Sequence, residues 1–346
     1  MLDYQKNAVN RVREASLKKQ RESFEFLETI CSPFEVRTQD LVSKVLHNSI
    51  TLNFHPDRFS NNGKMVIENI NSQGLYKGQF QTGTTNGGKT AYKGGDRYHW
   101  EEALFQSAYP EDSMERPKYG ALNLLKYLDG ASVRFGSSFF TLKHEVMDRC
   151  TFSYGDSSTH PVTLSTGDTF ECVLVDLFKD VLENQKILNM MVPSVQEALA
   201  VLMFKRDSLK NMGRNLDYCI ESHVHGDVSL LDDVESFYLD SSYKNTEIEE
   251  ISYDMCRKYG VNLEWIPVRE LEVKDIDVFF RGPKILKLAK TIDKVCTECS
   301  GTLNAKLLGD ASRDSELNFA NWEHIGSKDE VFQYLKQLWH TLGFFG

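Results

Sequence analysis

The sequence predicts an α+β fold: a mixed β core with flanking helices and with helical extensions at the N- and C-termini. Three observations carry this. Period-two strand patterns recur through the middle of the chain, helical spacing interrupts them irregularly, and both ends read as helix. In chain order, residues 4–31 place Val9, Val12, Ala15, Phe24, Phe26 and Leu27 among many charges, which predicts a long, mostly exposed helix with one buried end. Residues 50–54 form the first strand. His55-Pro56-Asp57-Arg58 follows, where proline forces its predecessor to extend or turn. Residues 64–74 have helical spacing in Val66, Ile67 and Ile70, stopped by Gly74, and a helix from residue 96 runs through Trp100, Leu104 and Phe105. Strands are predicted at 133–142 and 151–154, and helices at 173–184 and 195–204. From Cys219 to Gly226 the alternation puts Glu221, His223 and His225 on one face of a strand. A strand at 234–239 and a helix at 248–259, stopped by Gly260, come next. From about residue 281 the chain is helical with a break at Gly301. This divides the chain into an N-terminal helical segment (1–44), a domain carrying the β core (45–270) and a C-terminal helical extension packed on it (271–346).

The 346 residues suffice for a sizeable core, and 50 acids against 40 lysines and arginines give a net charge of −10. Such a chain is not expected to bind nucleic acid generally through phosphate contacts. It contains no apolar run of the ~18 residues that would suggest a membrane span, and its start lacks the apolar segment of a signal peptide. The seven scattered cysteines fit a reducing compartment. The expected location is therefore the cytoplasm, or a target cell reached without a classical signal, as for an effector or toxin. Cys296-Thr297-Glu298-Cys299 has no second pair to complete a structural zinc site.

The charge is uneven. Residues 74–95 hold seven of the 22 glycines, with Lys77, Lys89 and Lys93 and no acid. Glycines, the hydroxyls of Thr82, Thr84 and Thr85, and cations are what a backbone cradle for phosphate or pyrophosphate requires. The spacing matches neither the nucleoside-triphosphatase loop nor the dinucleotide fingerprint. Tyr76, Phe80, Tyr92, Tyr98 and Trp100 are threaded through or near it, which favours binding over a bare surface loop. Residues 216–255 are the opposite, with eleven acids against Lys244 alone. Those acids are expected to raise the pKa of His223 and His225.

The succession HPDRF, GLYKGQFQTGTTNGG, GGDRYHWEEALF, RPKYGALNL, RFGSSFF, TFSYGDS and ESHVHGDVSLLDDVESFYLD resembles a microbial family catalogued as a domain of unknown function, over roughly residues 45–270. That family is similar to the ADP-ribosyltransferase superfamily, as a divergent branch. The resemblance implies an ADP-ribosyltransferase-like β core and a mono-ADP-ribosyltransferase that splits NAD at its nicotinamide glycosidic bond and passes ADP-ribose to a protein acceptor. It further implies that His55 and Arg58 contact phosphate or ribose, and that Thr82, Gly83, Thr84, Thr85, Asn86 and Gly87 hold the dinucleotide. Tyr119 would stack on nicotinamide, and Glu221, with Arg58 as its catalytic partner, would stabilise the oxocarbenium-like transition state. NAD is then a substrate and no metal is expected. The chain departs from the family pattern at His223, where arginine-modifying members carry a second acid. Glu101 and Glu115 compete with Glu221 for the catalytic role. Two rival readings are a metal-dependent hydrolase using His55, Asp57, His223 and His225, and a non-catalytic nucleotide-binding module.

Overall fold

A computed structural model describes residues 1–83, 90–188, 190–204, 216, 218–296 and 300–346. Its centre is an eight-stranded mixed sheet: β1 (Ile50–Phe54), β2 (Lys118–Leu122), β3 (Ser138–Leu142), β4 (Cys150–Tyr154), β5 (Leu164–Thr166), β6 (Ile220–Val224), β7 (Val234–Asp240) and β8 (Asn262–Ile266). In space the order is β8-β7-β3-β1-β2-β6-β4-β5. Every neighbouring pair is antiparallel except β7 with β8, which are joined through a crossover helix.

Register assigns the faces. Tyr119, His223 and Thr151 are direct partners across three strands, and Ala121, Glu221 and Ser153 form the next row. Thr51 continues that second row through Ala121 and Thr141. This face is polar because the strands alternate Thr, Asn, Ser, Tyr, Glu and His with apolar residues. The opposite face carries Phe54, Phe140 and Phe237, with ring centroids 5.0 and 5.7 Å from Phe54, and Tyr76 stands edge-on to Phe54 at 5.7 Å.

The helices that matter for the site are α1 (Asp3–Cys31), α2 (Val66–Gln73), α3 (Asp96–Leu104), α4 (Glu171–Asn184), α5 (Glu247–Tyr259), α6 (Pro283–Val295), α7 (Ala305–Leu317) and α8 (Lys328–Phe345). Helix α1 buries Gln5, Ala8, Val9, Val12, Ser16, Ser23, Leu27 and Cys31. It therefore has a buried stripe along its length, not one buried end, and Ser16 and Ser23 meet Thr169 and Cys172 at the start of α4. The strand expected at 133–142 begins only at Ser138. Residues 133–135 form a turn of 3-10 helix, and the chain then presses onto the end of β1 so closely that a Cβ on Gly136 would lie 2.0 Å from the Phe54 carbonyl carbon. The C-terminal helices cover the same strand end. Trp339 Nε1 of α8 donates to the Val133 carbonyl at 2.8 Å, and its ring stands edge-on to His55 at 4.8 Å. Among the described residues no helix is long and apolar enough to cross a membrane.

Candidate functional site

The pocket with the most suggestive lining has a volume of about 130 Å³ and sits where β1 ends and β2 begins. Its walls are Tyr76, Lys77, Gly78 and Gln79 from the glycine-rich segment, Asn53 and Phe54 from β1, Arg97 from α3 and Tyr119 from β2. The acid-free segment and the acidic one are direct neighbours here, because Leu75–Tyr76 pairs with Val228–Ser229 just beyond His225. Only part of the acidic stretch joins the site: Glu247, Glu249 and Glu250 lie in the first turn of α5, where the helix dipole favours them.

Tyr119 is the hub. Its hydroxyl donates to Glu101 Oε1 at 3.0 Å, and the Arg97 guanidinium lies 4.3 Å from its ring centroid. Arg116 Nη1 donates to the other Glu101 oxygen at 3.2 Å, and its Nη2 to Glu102 at 3.1 Å. Burial raises the pKa of Glu101, against the opposing pull of Arg97 and Arg116, and burial also pushes the Tyr119 phenol well up. The Glu101 carboxylate thus has a partner from its own chain on each oxygen. Glu115 turns away from the pocket, accepting a 2.7 Å bond from the Tyr4 hydroxyl of α1.

Glu221 differs. Its side chain is 5% exposed, and Oε2 accepts from the Ser157 backbone N–H at 2.7 Å and lies 3.3 Å from His223 Nε2. No hydrogen bond to Oε1 is formed among the described residues. It is one strand and two residues from Tyr119, about 8 Å by sheet geometry. His223 and His225 both reach Thr151 Oγ1, at 3.0 and 3.1 Å, and Tyr109 OH lies 2.6 Å from His225 Nδ1. Burial, then His223, Lys118 and Arg149, holds the pKa of His225 well below the usual imidazole value. The expected upward shift of this histidine is therefore reversed, because desolvation and the neighbouring cations both disfavour its charged form.

The strand-end tetrapeptide occupies a separate place. His55 and Arg58 line a cavity of about 20 Å³ closed over by Leu335 and Trp339 of α8. Arg58 Nη1 bonds Asp57 Oδ1 and the Leu308 carbonyl, each at 3.3 Å, while Tyr243 OH donates to Asp57 Oδ2 at 2.8 Å. Burial, then Arg58 and His340, pushes the pKa of His55 well down. Two strands and four residues separate His55 from Glu221, roughly 16 Å by sheet spacing. The structure thus does not gather His55 and Asp57 with His223 and His225, and no metal-holding group of three His, Cys, Asp or Glu occurs among the described residues. Thr82 and Gly83 end the helical turn Gln79–Thr82 that starts at the pocket wall, with Thr82 Oγ1 bonded to the Gly78 carbonyl at 3.2 Å. Thr84, Thr85, Asn86 and Gly87 lie outside the described residues, as does Cys299 of the cysteine pair.

A family model described as a protein of unknown function (DUF3626) matches residues 49–345. The chain belongs to the DUF3626 family. The family match starts at β1 and runs through α8, so it takes in the C-terminal helices together with the sheet. No curated protein matches the chain. Arg97, Arg116, Tyr109, Thr151 and Ser157 escaped the sequence reading. Thr151 and Ser153 did leave a signal there, as polar residues at alternate positions of a strand whose other side chains are apolar.

Proposed function

We propose that the chain is an NAD-dependent mono-ADP-ribosyltransferase acting on a protein acceptor, with Glu221 as its catalytic carboxylate. One observation carries this: Glu221 is buried on the sheet face that bears Tyr119, held through Oε2 while Oε1 makes no hydrogen bond among the described residues. A preplaced carboxylate of this kind suits a reaction that develops positive charge on a ribose. In that reaction the C1′–N bond breaks and its electron pair leaves with nicotinamide, neutralising the pyridinium. A nucleophile on the acceptor then forms the new bond to C1′ and gives its proton to solvent. Glu221 would accept a hydrogen bond from the ribose hydroxyl and stabilise the cation between these events.

A pocket of about 130 Å³ is well below the ~300–1,000 Å³ of whole-ligand sites, so it receives one ring of the dinucleotide. The remainder would run over the glycine-rich segment. Lys77 and Arg97 then meet the pyrophosphate in place of Arg58, whose guanidinium is engaged by Asp57 and Leu308. Tyr119 offers its ring to the nicotinamide side. On this reading the eight-stranded sheet is an ADP-ribosyltransferase-like core.

The test is release of nicotinamide from NAD by the purified chain, followed by chromatography. Glu221→Gln is expected to lower kcat by about 10²- to 10³-fold with the fold unchanged by circular dichroism. Undiminished release by that variant, or no NAD turnover by the native chain, would overturn the proposal.

A further inference from the structure

Behind Glu221 five side chains are joined end to end: Tyr109 OH to His225 Nδ1 (2.6 Å), His225 Nε2 to Thr151 Oγ1 (3.1 Å), Thr151 Oγ1 to His223 Nδ1 (3.0 Å), and His223 Nε2 to Glu221 Oε2 (3.3 Å). All five residues are buried. For neutral imidazoles the direction of this chain follows from donor counting. The Ser157 backbone N–H can only donate, so Glu221 Oε2 is an acceptor, and an ionised carboxylate accepts from His223 as well. His223 Nε2 therefore carries the proton and Nδ1 is an acceptor. Thr151 has a single hydroxyl proton, which must go to His223, so its oxygen accepts from His225 Nε2. Tyr109 then donates to the remaining nitrogen of His225. Burial lowers the pKa of His225, and with neutral imidazoles this assignment satisfies all four links, every donor pointing toward Glu221.

We infer that Tyr109, His225, Thr151 and His223 form a one-way hydrogen-bond relay that fixes the rotamer of Glu221 and presents Oε1 to the substrate. This rests on the proposed role of Glu221 and deepens it: His223 and Thr151 are positioning residues acting through the carboxylate. It also gives the histidine that replaces a second acid two residues after Glu221 a defined task. Aromatic edges keep the relay dry, with Phe105 5.6 and 5.0 Å from His223 and His225 and Tyr119 5.2 Å from His223. The charged groups nearby are not links in it. Glu101, Arg97 and Arg116 lie around Tyr119, Lys118 and Arg149 bond backbone carbonyls of Gly226 and His225, and Arg134 pairs with Asp156 next to Ser157.

The experiment combines nitrogen NMR of histidine-labelled protein with kinetics on three variants. In the native chain at neutral pH, His223 and His225 are expected to show protonated Nε2 and bare Nδ1. Thr151→Val cuts the relay at its centre and should mix the His223 tautomers and lower kcat by about tenfold with KM nearly unchanged. Thr151→Ser should restore both, and Tyr109→Phe, which spares the packing, should give a smaller fall in kcat. Imidazolium or Nδ1–H signals in the native chain, or a Thr151→Val protein with native tautomers and native kcat, would overturn the relay. The readouts separate the two proposals. Native Nε2–H signals that change in Thr151→Val would support the relay even if NAD turnover failed. Turnover lost in Glu221→Gln but indifferent to Thr151→Val would sink the relay and keep the reaction.

Discussion

The strand end at His55–Arg58 and the sheet face at Glu221 are both buried, both polar and both rich in ionisable groups, yet they are built for different purposes. At the strand end the two Asp57 oxygens meet Tyr243 and Arg58, and Arg58 reaches across to the Leu308 carbonyl of α7. That arrangement ties the C-terminal helices to the sheet. At Glu221 the protein occupies one carboxylate oxygen and, among the described residues, leaves the other without a hydrogen bond. Burial of charge alone therefore does not separate a site from a clasp. What separates the two carboxylates is whether the chain's own groups use up their hydrogen-bonding capacity, as they do at Asp57; His55 Nδ1 beside it is buried without a partner among the described residues.

The largest effect should come from breaking the clasp. Asp57→Ala leaves Arg58 buried without its carboxylate and Tyr243 without its acceptor, and removal of one partner from a buried pair costs about 3–5 kcal/mol. Urea unfolding should show a midpoint lowered accordingly. A cost below about 1 kcal/mol would mean that the strand end is not structural and would erase the contrast with Glu221. Glu221→Gln should do the reverse, lowering turnover by the factor given above while its unfolding midpoint stays close to native.

Next in size is Gly309→Ala. Gly309 lies inside α7, and a Cβ there would stand 1.5 Å from Asp57 Oδ2, a short, fully buried side chain that cannot swing aside. Overpacking of this kind costs about 1–3 kcal/mol, and it should appear as a lowered melting temperature with kcat per folded molecule retained. If kcat fell in step with a change at the Tyr119 pocket, the two regions would be coupled and not separate.

The strands around the site were legible because alternation is a local property: Ile50–Phe54, Cys150–Tyr154, Ile220–Val224 and Val234–Asp240 lie within a residue or two of their expected positions. The polar face of β6 was legible for the same reason, and with it Glu221 and both histidines. Strand order was not, because β1 pairs with β2 and β3 across some seventy residues or more, and no local pattern encodes which strands meet. The surroundings of His55-Pro56-Asp57-Arg58 were not legible for a related cause: its partners, Tyr243, Leu308 and Trp339, are remote in sequence. The charge of His225 was misjudged from neighbouring acids, since the sequence shows charges along the chain while burial depends on what packs over it. Arg97 was passed over because it is one cation among several near the glycine-rich segment, and only the fold shows that it covers Tyr119.

The smallest effect expected is also the one that most directly tests where the dinucleotide's phosphates go. Arg97 is half-buried, lying over the rings of Tyr119 and Trp100 at 4.3 and 5.5 Å. Arg97→Ala forfeits those ring contacts, about 0.5–1 kcal/mol of stability, and removes a cation from the pocket wall. KM for NAD should rise about tenfold, equivalent to ~1.4 kcal/mol of binding, with kcat little changed, because a phosphate contact acts on ground and transition states alike. Arg97→Lys keeps the charge but loses the planar stack, so its KM should fall between the two. The matching change at the clasp, Arg58→Lys, should lower the unfolding midpoint and leave KM near native. A rise in KM from Arg58→Lys with none from Arg97→Ala would move the phosphate site back to the strand end and reverse the comparison.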